Sequence, residues 1–224
     1  MNIVHIFSLC LILFLLGCNN PKTDYFELES GDLLFQDLDC GPFCDAIEKV
    51  TEGVDGRDFS HIGIAEVADG GEVYVLEAVG AGVLRTPIDT FLQRQLSPEG
   101  RPQVLVGRIL PQYRERIPQA IAQAEARLGK PYDETFDILN DKYYCSELVY
   151  EAYKPTGDTS LFRLYPMTFI DPDTDSTFGI WIDYYRDLGV AIPEGEPGLN
   201  PGGISRSPNI TIVHDYLVGD QPDS

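Results

Sequence analysis

From Gly31 onward the apolar positions follow two rhythms, and each rhythm gathers in its own part of the chain. Short apolar runs at 32–36, 61–67, 73–78, 82–86 and 103–109 predict strands. Helical spacing takes over at Ile117, Ile121, Ala124 and Leu128, which predicts a helix over 118–128 with Pro118 in its first turn and Gly129 and Pro131 ending it. A second helix starts at Cys145, where Cys145, Leu148, Val149 and Ala152 share one face, and stops at Lys154-Pro155. Shorter helices are expected over 45–51 and 88–95. The Gly- and Pro-rich stretch 193–208 predicts a long surface loop before a last strand at 210–216. Strands crowded into 32–109, with helices gathered elsewhere, imply an α+β fold built on a mainly antiparallel sheet.

Composition adds size and charge to this picture. At 224 residues and 43% hydrophobic content, one globular domain with a substantial core is expected. Sixteen Lys plus Arg against 36 Asp plus Glu leave a net charge of −20, which repels polyphosphate and excludes nucleic acid as a partner. The charges are scattered in both signs and read as a solvated surface.

The first segment carries its own signal. Ile3 to Leu16 are apolar except for His5 and Ser8, a run too short for a permanent span and placed where an export signal belongs. Leu15-Leu16-Gly17-Cys18 followed by Asn19-Asn20 resembles the bacterial lipoprotein signal, which implies cleavage before Cys18 and acylation of that cysteine. An ordinary secretory signal and an uncleaved helix are the alternatives. The resulting expectation is a signal at 1–17, an anchor and linker at 18–28, one domain at 29–218 and a frayed tail at 219–224. The protein would then sit in the bacterial cell envelope, facing the periplasm, held to the membrane by its N-terminal lipid.

Removal of Cys10 and acylation of Cys18 leave three cysteines, Cys40, Cys44 and Cys145. Cys40 and Cys44 are close enough in sequence to form a small disulfide in an oxidising compartment, which leaves Cys145 unpaired. Nucleophilic cysteine catalysis needs a thiolate, a neighbouring imidazole and a polar group that orients the imidazole. Cys145 at a helix start gains from the macrodipole, which lowers a thiol pKa. His61, at the head of a strand, and His214 are the available bases. Glu77 is a charged residue inside the apolar run 73–78, and a neighbouring His61 would satisfy it. Tyr132, in the loop before the cysteine, is a weaker candidate. Each residue also has a plain structural role open to it, as core thiol, satisfied histidine, edge carboxylate or packing ring.

The segments Gly31-Asp32-Leu33-Leu34-Phe35, Ser60-His61-Ile62-Gly63-Ile64, Leu76-Glu77-Ala78, Leu128-Gly129-Lys130-Pro131-Tyr132-Asp133 and Tyr144-Cys145-Ser146-Glu147-Leu148 together resemble the NlpC family of papain-like cysteine hydrolases. The His segment precedes the Cys segment, which is the order of the circularly permuted branch, and the likeness is strongest to the YiiX-like proteins. It covers residues 29–153. The resemblance implies a papain-like core with Cys145 as nucleophile, His61 as base, Glu77 as orienting residue and Tyr132 beside the nucleophile as an oxyanion partner. It implies no cofactor. The leading functional expectation is an envelope hydrolase cleaving an amide of cell-wall peptide or a related substrate. A lipid amidase, esterase or acyltransferase using the same site is the second, and a non-catalytic lipid- or peptide-binding lipoprotein the third. Asp171-Pro172-Asp173-Thr174-Asp175 opens like a calcium loop, but Ser176 and Ile182 stand where such a loop needs Gly and Glu, so no metal site is expected. His214 lies outside every matched segment and is expected to be structural.

Overall fold

The computed structural model describes residues 26–155 and 160–218. The N-terminal apolar run, Cys10, the expected anchor Cys18 and residues 219–224 lie outside them. Six strands form one sheet: β1 (Leu33–Gln36), β2 (His61–Val67), β3 (Val73–Val79), β4 (Gly82–Pro87), β5 (Val104–Ile109) and, at the end of the chain, β10 (Ile210–Asp215). Their spatial order is β10-β5-β1-β2-β3-β4, and each neighbouring pair is antiparallel. The α+β class with a mainly antiparallel sheet is the architecture found.

The sheet is covered on both faces, which is why its strands read as nearly unbroken apolar runs. Alternate side chains go to opposite sides. Leu33, Phe35, Ile62, Ile64, Leu76 and Ala78 pack with Ala120 and Ala124 of α3 (Ile117–Glu125) and Leu148, Val149 and Ala152 of α4 (Cys145–Ala152). Leu34, Ala65, Val75, Val104 and Val106 pack on the other face with Phe91 and Leu92, from the short helix α2 (Ile88–Leu92). A separate aromatic cluster joins α1 (Pro42–Lys49) to α5 (Gly179–Leu188) through Phe43, Phe169, Trp181 and Tyr185.

Several boundaries differ from the sequence expectations. Helix α3 stops at Glu125 because Arg127 and Leu128 donate to carbonyls only three residues back, tightening the last turn before Gly129 at φ 80°. Helix α1 begins earlier, at Pro42, whose missing N–H suits a first turn. Helix α5 was not expected at all. The stretch 193–208 is not a surface loop: it contains β9 (Pro197–Gly198), paired to β6 (Tyr165–Pro166), and helix α6 (Pro201–Ser205). Asn200 caps α6 by accepting from the Gly203 N–H at 2.8 Å, and Pro201, Ile204 and Ser205 are buried. Gly202 sits so close to α1's end that an added Cβ would lie 2.4 Å from the Thr51 carbonyl oxygen. Single short turns like this are fixed by tertiary packing and carry no periodic signal.

Candidate active site

Strand β2 begins at His61, and the β2–β3 register sets Ile64 opposite Leu76. That register places His61 and Glu77 on one face of the sheet, near enough diagonally for His61 Nε2 to lie 2.6 Å from Glu77 Oε2. Glu77 is fully buried. Besides His61 it accepts from Thr86 Oγ1 at 2.5 Å and from both terminal nitrogens of Arg94, at 2.8 and 2.6 Å. The carboxylate therefore has a full set of donors and remains ionised: burial opposes this, but Arg94, His61 and Thr86 together hold its pKa down at about 2.

Neither Thr86 nor Arg94 was identified from sequence. Thr86 had a usable signal, since it lies on β4, the strand paired with Glu77's own, in an alternating position. Arg94 follows α2 and has none, because its approach to Glu77 depends on how α2 packs beneath the sheet.

Cys145 is the first residue of α4. Tyr144 before it is extended, its backbone N–H donates to Glu147 Oε2 at 3.3 Å, and its hydroxyl accepts from the Leu199 N–H at 3.4 Å. Cys145 and His61 are near enough for each to shift the other's pKa, and the Cys145 sulfur lies 3.8 Å from the Ser146 hydroxyl oxygen. With Nε2 engaged by Glu77, Nδ1 is the ring nitrogen left for the thiol. Burial alone would push the Cys145 thiol up, but the His61 hydrogen bond and charge, the Ser146 hydroxyl and the Ile62 N–H outweigh it and hold the pKa below the usual thiol value. Burial likewise pulls His61 down, while Cys145 and Glu77 raise it to about 9. The two directions agree on a thiolate–imidazolium pair.

Tyr132 reaches the site on a docked loop. Val83 N–H donates to the Lys130 carbonyl at 2.8 Å and Gly129 N–H to the Val83 carbonyl at 2.9 Å, while Tyr132 and Tyr143 form an isolated bridge. The Tyr132 ring is half-buried, shares a cavity wall with Cys145, and has its hydroxyl pKa raised by burial and by the neighbouring cysteine. Asp133 anchors the loop by accepting from the Thr135 N–H and hydroxyl and the Asp137 N–H.

The cavity beside Cys145 measures about 850 Å³. Its apolar wall includes Phe136, Leu161, Phe162, Met167, Trp181 and Leu199, so the segment after α4 and the stretch around α6 build it together. Three other residues singled out from sequence lie elsewhere. His214 is on β10, separated from β2 by β5 and β1, and stacks on Phe26 at 4.5 Å between ring centres. Asp171 and Asp173 each pair with Lys49, at 2.8 and 2.7 Å, at the hairpin of β7 (Ile170–Asp171) and β8 (Ser176–Thr177). Cys40 and Cys44 are disulfide-bonded, and Cys145 is the free cysteine among the described residues.

A thiolate at a helix N-terminus, an imidazole on the facing strand and a buried carboxylate behind it form the working arrangement of a cysteine hydrolase on a papain-like core. The chain belongs to the permuted papain-like amidase enzyme family described as YaeF/YiiX, C92, whose model matches residues 27–214. That match runs well past residue 153, where the sequence likeness ended, and so takes in the segments that wall the cavity. An uncharacterized Escherichia coli K12 protein, YiiX, is 27% identical over 189 residues, covering 84% of this chain and 87% of its own length. The crystal structure described as metalloprotein yiiX from Escherichia coli O157:H7 superposes with a TM-score of 0.68 at 26% identity, covering 85% of this chain and 98% of that one. Among the described residues of this chain, no group of three or more His, Cys, Asp and Glu could hold a metal ion.

Proposed function

We propose that this protein is a cysteine amidase of the bacterial envelope, with Cys145 as nucleophile, His61 as acid and base, and Glu77 as the residue that orients His61. The observation that supports it is the continuous chain of contacts from Cys145 through His61 to a Glu77 locked by Arg94 and Thr86. The Cys145 sulfur attacks the substrate carbonyl carbon, the C–N bond breaks, and the His61 proton goes to the departing amine nitrogen. Water then attacks the thioester, gives a proton to His61, and releases the acid with the sulfur restored. The Cys145 backbone N–H at the α4 terminus and the Tyr132 hydroxyl are the donors available to the developing oxyanion.

Cell-wall peptide and related envelope amides are the substrate class of this reading. A second reading, a lipid amidase, esterase or acyltransferase with the same residues, is favoured by the apolar cavity wall beside Cys145. Attachment through an acylated Cys18 accompanies both, and Cys18→Ala should abolish incorporation of a labelled fatty acid into the protein.

The deciding experiment is the rate of Cys145 alkylation across pH, with His61→Ala as control, followed by turnover of peptide and lipid amides. Fast labelling with an apparent pKa well below ~8.5 that rises in the control supports the enzyme. An inert thiol would refute it and leave a binding protein, whereas full turnover in Cys145→Ala would refute Cys145 as the nucleophile.

A further inference from the structure

The cavity beside Cys145 combines an apolar wall with a charge pattern that opposes that of the molecule. Across a chain of net charge −20, Arg57, Arg85, Arg94, Arg108, Arg127 and Arg186 each pair with a carboxylate. Arg163 and Arg206, both on the cavity wall, have no carboxylate partner among the described residues, and Arg163 lies over the Tyr165 ring, 5.3 Å from its centre. Glu52 is the one acidic residue lining the same cavity. Two guanidiniums and a single carboxylate on one cavity reverse the more than twofold excess of carboxylates over the whole chain. Leu161, Phe162 and Ile204 are buried, whereas Arg163 and Arg206 are exposed, so the apolar part forms the floor and the cations stand nearer the mouth.

We infer that the cavity binds an anionic single-chain N-acyl amide, with the acyl chain on the apolar floor and an acidic headgroup answered by Arg163 and Arg206. This rests on the Cys145 chemistry above and narrows its substrate. A cavity of about 850 Å³ is within the range that encloses a drug-sized ligand. The chain supplies binding through burial, and the arginines offset the repulsion that a −20 molecule exerts on an anion. For an N-acylglycine, the thiolate takes the fatty acyl group and glycine leaves with the His61 proton. Water then releases the fatty acid, so the net change is addition of one water across the amide.

The test measures kcat/KM of the full chain on N-acylglycines of increasing acyl length, on the matching neutral N-acylethanolamines, and on p-nitrophenyl acetate as a probe of the thiol alone. Activity should climb about fourfold per added methylene until the floor is filled. The acidic series should exceed the neutral one by roughly tenfold, and Arg163→Gln with Arg206→Gln should bring the ratio of acidic to neutral kcat/KM to about one. A flat length profile, no turnover of N-acylglycines by an enzyme active on p-nitrophenyl acetate, or a headgroup preference untouched by the double variant would overturn the inference. Failure of Cys145-dependent p-nitrophenyl acetate turnover would instead remove the nucleophile reading beneath it.

Discussion

Glu77 accepts hydrogen bonds from His61, Thr86 and Arg94 inside the sheet, and its ionised state acts together with Cys145 to raise the His61 pKa against burial. The pH profile follows from the signs. kcat/KM should rise as Cys145 loses its proton, below the usual thiol range, and fall as His61 loses its own near pH 9. In Glu77→Gln the carboxylate that raises His61 is gone, so the alkaline limb should move to lower pH and kcat/KM should drop by roughly 10²- to 10⁴-fold. The same substitution leaves Arg94 facing a neutral amide and should destabilise the fold by about 3 kcal/mol. Glu77's contribution to stability is present above about 4.5 and lost as pH falls toward about 2, so acid denaturation of the variant should lack that leg. Cys145, His61 and Glu77 were legible because a lone thiol, a strand-head imidazole and a carboxylate in an apolar run are each unusual. Arg94 was not, because an arginine after a short helix is ordinary until the fold turns it under the sheet.

One element carries Cys145 and another presents Tyr132, and each has a weak point that a substitution can find. The first turn of α4 contains Glu147, buried, with Tyr144 N–H as its hydrogen-bond donor. Burial, reinforced by Asp133, Glu151 and Asp137, raises its pKa to about 8 against the opposing Tyr144 bond. A carboxyl whose folded pKa is raised destabilises the fold increasingly as pH climbs from about 4.5 toward about 8. Glu147→Gln keeps the acceptor and removes the ionisation, so denaturation midpoints should match wild type at pH 5 and exceed it by a few degrees at pH 8. The loop that presents Tyr132 leans on Gly82, at φ 106°, where a Cβ would fall 2.5 Å from the Lys130 carbonyl oxygen. Gly82→Ala should cost about 1–3 kcal/mol and displace Tyr132, lowering kcat more than it changes Cys145 alkylation. The strand pattern announced β2, β3 and β4 well; this docking contact is between backbones of distant segments, and residue type gives only the glycine as a trace of it.

At the scale of the whole molecule, the cavity wall draws on two packing clusters: Leu161, Phe162, Leu199 and Ile204 belong with Cys145 to the large one, and Trp181 and Phe169 to the aromatic one. The sheet, α3 and α4 share one large apolar cluster, and its strands and α4 were readable from period alone. The segment 160–208 instead adds two-residue strands and a five-residue helix, too short to show a period, and α5, whose Trp181, Tyr184, Tyr185 and Leu188 do recur at helical spacing but went unread. What holds α5 is a set of rings: Trp181 lies 4.7 Å from Phe43, 5.1 Å from Phe169 and 5.9 Å from Phe136, bringing α1 and the Tyr132 loop region onto one side chain that also lines the cavity. Trp181→Ala should therefore lose about 3–5 kcal/mol locally and loosen the cavity wall. Because no contact in the Cys145–His61–Glu77 chain passes through Trp181, the alkylation rate at Cys145 and its pH dependence should stay within twofold of wild type while KM for an acyl substrate rises. Phe in place of Trp181 retains a ring and should recover most of the binding. A Trp181→Ala variant whose Cys145 reactivity collapsed together with substrate binding would mean that the aromatic cluster around Trp181 and the cluster that holds Cys145 act as one packing unit.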